Sequence, residues 1–177
     1  ERLGRRTVTT GCGQGTVYGS ILEKLETVKL PEVRLSQSLF YRLLQRIRDF
    51  NDVYKRSGAV HGCALCRDDE VLIFIEDVDH HNAVDAIAGN MLLENIEGAD
   101  KLFYSMGRLT SEMVLKVAQM GIPVLVSRSG VTQMGLELVR KTGVTLISRT
   151  GDKHFLVYHG FDTLQLDAKP GESLGIG

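Results

Sequence analysis

The residue best suited to covalent chemistry is Cys12, which lies between Gly11 and Gly13 in a glycine-rich segment that follows a β-prone run. The thiolate is the nucleophile in cysteine chemistry and needs solvent access, and flanking glycines lower the cost of unusual backbone angles. A linker that happens to carry a cysteine is the alternative, and the sequence leaves both interpretations open. No Gly-Lys-Ser/Thr follows, so the segment does not match a phosphate-binding P-loop.

A second candidate site lies where an apolar run that predicts a buried strand ends. Glu76 and Asp77 follow the run, and Asp79 is a good N-cap for a helix that carries His80 and His81. Taken singly, each residue has a structural explanation, such as capping or a hydrogen-bonded core histidine. Their density beside a buried strand favours function, because ionisable groups there must be paired or useful.

The remaining cysteines, Cys63 and Cys66, lie on a predicted strand, where residues three apart point to opposite faces. This spacing favours packing over a redox or metal pair. A tetrahedral zinc site would need a second ligand pair, so we expect no zinc and no other metal site. His61, on the same strand, is expected to be a hydrogen-bonded core residue rather than a pocket residue.

Hydrophobic periodicity predicts a helix at 36–56, then a β-hairpin, then repeated strand–helix units. This order indicates an α/β fold, a three-layer mixed sheet with helices on both faces. Residues 1–35 are assigned to a Gly-rich cysteine loop and linker, 36–160 to the α/β core domain and 161–177 to a flexible tail. The polar face of the first helix is interpreted as a solvated surface; it carries Arg42, Arg46, Arg48 and Lys55.

Polar loops are predicted to converge at the carboxyl ends of the strands, at 76–82, 106–111, 127–132 and 148–154. In open α/β sheets, ligands bind at that edge. The residues that these loops offer are Glu76, Asp77, His81, Arg108, Ser129, Arg149, Lys153 and His154. Such a mixture of cationic, acidic and hydroxyl groups suits a polar small molecule that carries phosphate.

Composition narrows the class of protein. The 177-residue chain has a net charge of −1 with no basic stripe, which argues against nucleic-acid binding. No apolar run approaches the roughly 20 residues of a membrane span, and no signal peptide is evident, so we expect no membrane partner and a cytoplasmic location. The abrupt polar, basic start indicates a fragment of a longer protein. A homodimer is expected, because symmetric dimers are the commonest soluble oligomers.

Taken together, the motifs resemble the formate dehydrogenase accessory sulfurtransferase (FdhD) family. The matching segments are Thr-Gly-Cys-Gly at 10–13, Ser-Gly-Ala-Val-His at 57–61, Glu-Asp-Val-Asp-His-His-Asn-Ala-Val-Asp at 76–85, Gly-Arg-Leu-Thr-Ser-Glu-Met at 107–113, the run at 121–129 and Thr-Leu-Ile at 145–147. The likeness covers residues 7 to 160, and the joint order and spacing carry it. The family's N-terminal portion is missing, which agrees with a fragment.

The resemblance implies a cytidine-deaminase-like fold and a role in the maturation of formate dehydrogenase. In that family a cysteine desulfurase passes sulfur to a loop cysteine as a persulfide. The protein then delivers the sulfur to the bis-molybdopterin guanine dinucleotide molybdenum cofactor, its bound cargo. Cys12 matches the persulfide cysteine. The family's cofactor-binding segment corresponds to Arg149, Thr150, Gly151, Asp152, Lys153 and His154.

The sequence departs from the family pattern at two places. Gly15 stands where the family often has a second loop cysteine, and Asp79-His80 replaces a usual Gly-Arg, which removes a cation. One alternative is a non-catalytic scaffold that binds the cofactor or docks formate dehydrogenase, in which Cys12 is dispensable. Another is a zinc hydrolase of the deaminase type, but the His/Cys-x-Glu and Pro-Cys-x-x-Cys motifs of that chemistry are absent.

Overall fold

The core of the protein is a six-stranded mixed sheet, seen in a computed structural model that describes residues 6–8, 16–18, 30–151 and 154–168. The described helices are α1 (Gln37–Phe50), α2 (Asp52–Ser57), α3 (His80–Leu93), α4 (Ser111–Gln119) and α5 (Gln133–Thr142). The strands are β1 (Arg6–Val8), β2 (Thr16–Tyr18), β3 (Leu35–Ser36), β4 (His61–Arg67), β5 (Glu70–Asp77), β6 (Leu102–Ser105), β7 (Val124–Ser127), β8 (Thr145–Ser148), β9 (Leu156–His159) and β10 (Leu164–Gln165). None of the described helices combines the length and apolar character that a membrane crossing requires.

Strand direction places the ends of four strands at one edge. The order across the sheet is β5-β4-β6-β7-β8-β9. Strands β6, β7 and β8 are parallel, and β4 is antiparallel to both of its neighbours, so β5 runs in the same direction as β6. We call the edge where β5, β6, β7 and β8 end the carboxyl edge. The antiparallel strands β4 and β9 begin there.

Helices cover both faces of the sheet, which confirms the predicted mixed α/β layering. Alternation along β4 sends Cys63 and Leu65 into the core beneath α3, α4 and α5, and Ala64 and Cys66 into the core beneath α1. All four side chains are fully buried. The opposite orientation of the two cysteines is what the period of two in a strand predicts.

Side chains cap the helices at two junctions of the carboxyl edge, and the first of these caps, Asp79, is the one that the sequence predicts. The carboxylate of Asp79 accepts a hydrogen bond from the backbone N–H of His81 at 2.9 Å and begins α3. The hydroxyl of Thr110 accepts from the N–H of Met113 at 3.4 Å and begins α4. Each cap satisfies a backbone donor that the first turn of a helix leaves without an intrahelical partner.

The prediction of a single helix at 36–56 is wrong, because the helix is interrupted at Asn51. This residue has φ −77° and ψ 54°, outside helical values, and it separates α1 from α2. Apolar residues continue at helical spacing across the break, so periodicity alone does not reveal it. Gly58, with φ 64°, ends α2 in the left-handed region that glycine adopts readily.

The predicted tail from residue 161 begins with defined structure. A 3-10 turn at Phe161–Thr163 leads into β10, which pairs in parallel with β3. Asp167 then accepts hydrogen bonds from the hydroxyl of Ser36 at 2.6 Å and the backbone N–H of Ser38 at 2.9 Å. As far as residue 168, this segment is therefore joined to the start of α1.

Candidate functional site

Neighbouring loops at the carboxyl edge are tied together by backbone hydrogen bonds. The N–H of Leu109, after β6, donates to the carbonyl of Gly130, after β7, at 3.0 Å. The N–H of Arg149, after β8, donates to the carbonyl of Ser129 at 3.0 Å. Of the four loops that the sequence predicts to converge, the three that follow β6, β7 and β8 therefore form one connected surface.

Hydroxyl groups at the strand ends add further ties. Ser129 donates through Oγ to the carbonyl of Met106 at 2.8 Å, and Ser127 donates through Oγ to the carbonyl of Gly107 at 2.8 Å. Thr150 donates through Oγ1 to the carbonyl of Ser127 at 3.2 Å. Ser129 and Thr150, both predicted as site residues, thus hold neighbouring loops in place.

A cavity of about 360 Å³ opens between the carboxyl edge and the end of α1. Its lining residues are Leu44, Arg48, Asn51, Tyr104, Arg128, Thr150 and Gly151. We call it the arginine cavity, after Arg48 and Arg128. The volume lies in the range of about 300–1,000 Å³ that is usual for small-molecule sites. Of the predicted cofactor-binding segment, the cavity contains Thr150 and Gly151.

The arginine cavity is rich in hydrogen-bond donors. The guanidinium carbon of Arg128 lies 5.7 Å from the centroid of the Tyr54 ring, a cation–π arrangement. Burial raises the pKa of Tyr104 to about 12, against the opposing effects of Arg128 and Arg48. The Tyr104 hydroxyl therefore stays protonated at neutral pH. Guanidinium groups and a neutral phenol are suitable donors for phosphate oxygens.

The sequence does not predict four of the lining residues. The helical pattern places Arg48 on a solvated face, and Tyr104 lies inside a strand whose sequence gives no signal of a pocket. Arg128 directly follows β7, so its position at the junction next to Ser129 was the available clue. Asn51 is buried at the helix break; its Oδ1 has no hydrogen-bond partner among the described residues, while its Nδ2 donates to the carbonyl of Ile47 at 3.1 Å.

Glu76 and Asp77, predicted as pocket candidates, organise the backbone instead of lining the cavity. The Glu76 carboxylate accepts from the N–H of Val53 at 2.9 Å and of Tyr54 at 2.7 Å, at the start of α2. Asp77 accepts from the N–H of Asp79 at 2.9 Å. That bond, followed by one from the Asn82 amide, lowers the pKa of Asp77 below its ordinary value.

Three histidines form a cluster on the other side of the sheet, beside α3. The ring centroid of His80 lies 5.6 Å from that of His61 and 4.5 Å from that of His81. His61 is exposed, so the prediction of a core histidine is wrong. Burial, followed by the charge of neighbouring His81, lowers the pKa of His80. The His80 ring lies on Gly107, where an added Cβ would be 2.8 Å from its Cγ.

The histidine cluster does not have the geometry of a metal centre. Within the described ranges, no group of three or more His, Cys, Asp or Glu side chains is arranged to hold a metal ion. The buried Nδ1 of His81 is 3.7 Å from the Glu112 carboxylate, too far for a hydrogen bond. It lacks a hydrogen-bond partner among the described residues, as does Nε2 of His80.

The cysteines of β4 are inert by position. Cys63 and Cys66 are free thiols with no exposed surface. Burial raises the pKa of each thiol to about 12. Since the thiolate is the reactive form, neither is suited to nucleophilic chemistry. Cys12, the predicted nucleophile, lies outside the described residues.

The other predicted site residues are spread along the carboxyl edge. Arg108 and Arg149 are exposed, and Arg149 has φ 51°, which is uncommon for a residue other than glycine. His154 is exposed, and its carbonyl accepts from the N–H of Gly151 at 2.8 Å, which closes the loop beside the arginine cavity. Asp152 and Lys153 lie outside the described residues.

Comparisons with known proteins agree on one family. The chain matches the model of the FdhD/NarQ family over residues 1–165. The sulfur carrier protein FdhD of Bacillus pumilus (strain SAFR-032) is 28% identical over 156 residues, which are 87% of this chain and 59% of the relative. The protein of the same name from Geobacillus kaustophilus (strain HTA426) is 33% identical over 117 residues, 66% of this chain and 44% of the relative. The chain thus spans about three fifths of the length of the Bacillus relative.

A solved structure shares the fold. It comes from Desulfotalea psychrophila and is described as a formate dehydrogenase accessory protein. The two structures align with a TM-score of 0.72 and 30% sequence identity, over 77% of this chain and 61% of the other. This similarity agrees with the mixed α/β architecture of the sheet and its helices.

Proposed function

Because the chain belongs to the FdhD/NarQ family, we propose that it is a sulfur carrier for the maturation of formate dehydrogenase. It accepts persulfide sulfur from a cysteine desulfurase on Cys12 and delivers that sulfur to a bis-molybdopterin guanine dinucleotide cofactor, its cargo. Relatives from Bacillus and Listeria that carry the name sulfur carrier protein support this role.

The observation that carries the proposal is the burial of the other two thiols. The chain has three cysteines, and Cys63 and Cys66 have no exposed surface and thiol pKa values of about 12. A sulfur carrier needs a thiolate that can meet its donor, so this role falls to Cys12, between two glycines.

The transfer to Cys12 is a thiol–disulfide type exchange. The Cys12 thiolate attacks the terminal sulfur of the donor's persulfide, and a new sulfur–sulfur bond forms as the donor's bond breaks. The donor cysteine leaves as a thiolate, and the proton of its persulfide stays with the transferred sulfur. The protein then holds the sulfur as a Cys12 persulfide, with no change in net oxidation level.

The arginine cavity supports binding of the nucleotide part of the cargo. Arg48 and Arg128 offer charge-assisted donors for phosphate oxygens, and Thr150 and Gly151 belong to the segment that the family resemblance assigns to the cofactor. The rest of that segment, including Arg149, Asp152, Lys153 and His154, completes the proposed contact surface, with Asp152 as a partner for guanine N–H groups. His81 and Arg108 remain proposed contacts on the other side of the sheet.

Further features belong to the proposal at the level of the whole molecule. The mixed sheet between two helical layers supports a cytidine-deaminase-like fold. A symmetric homodimer and a cytoplasmic location are proposed with it, since symmetric dimers predominate among soluble oligomers. Gel filtration with light scattering tests the dimer, and a monomer at micromolar concentration would remove it from the proposal.

Persulfidation of the intact protein tests the assignment of Cys12. After incubation with a cysteine desulfurase and cysteine, we expect the wild type to gain the mass of one sulfur atom. Cys12→Ala should gain none, whereas Cys63→Ala and Cys66→Ala should load normally. Full complementation of a host that lacks its accessory protein by Cys12→Ala would favour the non-catalytic scaffold instead.

Calorimetry with GDP and ADP tests the nucleotide site separately. Binding of GDP in preference to ADP is expected, with weaker binding by Arg48→Met and Arg128→Met. Arg46→Met is the matched control, because Arg46 lies on the same helix but pairs with Asp69 at 3.1 Å, away from the cavity. Equal binding of both nucleotides, or no loss in the Arg48 and Arg128 variants, would refute the guanine site.

A further inference from the structure

Glu76 is joined to a helix that is distant in sequence. It lies near the end of β5, and its two carboxylate oxygens accept from the backbone N–H groups of Val53 at 2.9 Å and Tyr54 at 2.7 Å. These groups are donors in the first turn of α2, which no intrahelical carbonyl can satisfy. Glu76 therefore does for α2 what an N-cap side chain does for other helices.

Apart from the Glu76 bonds, α2 packs on the core beneath α1 through the half-buried Tyr54. Its own N-cap residue, Asn51, makes no side-chain capping bond, and none of the six residues of the helix is buried. Helices shorter than about 12 residues are marginal in water unless other contacts stabilise them. The Glu76 carboxylate is therefore the side chain that caps the start of α2 and, together with the packing of Tyr54, fixes its position.

Helix α2 in turn supports one wall of the arginine cavity. Tyr54, whose N–H is bound by Glu76, presents its ring to Arg128, with the guanidinium carbon 5.7 Å from the ring centroid. Arg128 lines the cavity. A continuous set of contacts therefore runs from β5 through α2 to a cation of the cavity, although Glu76 itself lies outside the lining.

We propose that Glu76 is a positioning residue for anion binding: it holds α2 so that the Tyr54 ring keeps the Arg128 guanidinium at the arginine cavity. The inference rests on the proposed function, in which this cavity receives a phosphate-bearing ligand. Glu76 does not touch that ligand. Its carboxylate instead accepts hydrogen bonds from the two backbone N–H groups of α2.

A thermodynamic cycle tests whether Glu76 acts through Arg128. Calorimetry measures GDP binding to Glu76→Gln, Arg128→Met and the double variant. Loss of a cation–π contact at a partly exposed site corresponds to about a two- to fivefold weaker affinity, which is the effect expected for Glu76→Gln. In the Arg128→Met background, Glu76→Gln should add no further loss. Independent, multiplying effects would overturn the inference.

A second measurement needs no ligand, so it separates this inference from the cavity's function. In NMR spectra the Tyr54 ring should shift the side-chain protons of Arg128, and this shift should persist in Tyr54→Phe and vanish in Tyr54→Leu. Glu76→Gln should diminish it, whereas the control Glu70→Gln, at the other end of β5, should not. An unchanged shift in a folded Glu76→Gln protein would refute the positioning role. If the wild type binds no GDP, the nucleotide proposal fails, and this measurement still decides the role of Glu76.

Discussion

Thiol labelling of the native protein is expected to separate the three cysteines by orders of magnitude in rate. Cys63 and Cys66 have no exposed surface, and burial raises the pKa of each to about 12. The ordinary pKa of a cysteine thiol is 9.0, so at neutral pH each buried thiol has roughly a thousandfold less thiolate than an ordinary cysteine.

Access adds to this difference in ionisation. Strand β4, which carries both buried cysteines, is paired with β5 on one side and β6 on the other. A reagent reaches either thiol only when the sheet opens, and opening of core strands approaches the free energy of global unfolding. The observed rate ratio should therefore exceed the factor of roughly a thousand from the thiolate fraction alone.

Absorbance with a disulfide reagent such as Ellman's reagent measures the rates. We expect one fast thiol in the native wild type, none in Cys12→Ala, and one in each of Cys63→Ala and Cys66→Ala. In guanidinium chloride all three cysteines of the wild type should react at similar rates. A fast thiol in native Cys12→Ala would refute both the burial argument and the assignment of Cys12 as carrier.

Two further predictions concern stability. An added Cβ at Gly98 would lie 2.1 Å from the carbonyl oxygen of Met120, so Gly98→Ala should destabilise the protein by about 1–3 kcal/mol or more in chemical denaturation. Gly89 is at an exposed position of α3 with nothing within 4 Å of an added Cβ, so Gly89→Ala should be neutral or stabilising. The hydroxyl of Ser36, followed by the N–H and hydroxyl of Ser38, lowers the pKa of Asp167 to about 2 from 3.8. A carboxyl group whose pKa is lower in the folded state stabilises that state at pH values above its unfolded pKa. The stability difference between wild type and Asp167→Asn should therefore be full above about pH 5 and disappear as pH falls towards about 2. A constant difference between denaturation curves measured at these pH values would contradict the prediction.

Local sequence patterns predict most of the fold, because the spacing of apolar residues along the chain distinguishes helices from strands. The alternation of β4 correctly separates Cys63 from Cys66, and the cap Asp79 is recognisable from residue type and position. The order of strand–helix units then predicts a mixed sheet with its strand ends at one edge. These features depend on neighbours within a few positions in the chain.

The arginine cavity depends on contacts that local patterns do not contain. Arg48 lies on a polar helix face, and only the packing of α1 over the sheet brings it to Arg128 at the end of β7. The break at Asn51 is equally non-local, since the carboxylate that caps the following helix comes from Glu76 on β5. His61 shows the converse error: β4 is buried from Gly62 to Cys66, but its first residue lies at the carboxyl edge and is exposed.

The family resemblance places Gly15 where a second loop cysteine is often found, and this difference has a consequence for how sulfur would leave the proposed carrier. Release from a persulfide as hydrogen sulfide needs a second thiol. Its thiolate attacks Cys12 Sγ, a disulfide with Cys12 forms, and the terminal sulfur leaves as hydrosulfide. Of the three cysteines in the chain, Cys63 and Cys66 are fully buried and so cannot supply this second thiol.

Persulfidated protein should therefore keep its sulfur until an external thiol such as dithiothreitol is added. Gly15→Cys supplies a thiol three residues from Cys12. This variant should release sulfide without an external thiol, and the protein should be left with an internal disulfide. Methylene-blue detection of sulfide and mass spectrometry of the protein measure the two products, and Gly15→Ser controls for the loss of glycine. Spontaneous release by wild type, at a rate unaffected by protein concentration, would mean that a buried cysteine of β4 reaches Cys12 after all, and it would refute the single-thiol mechanism.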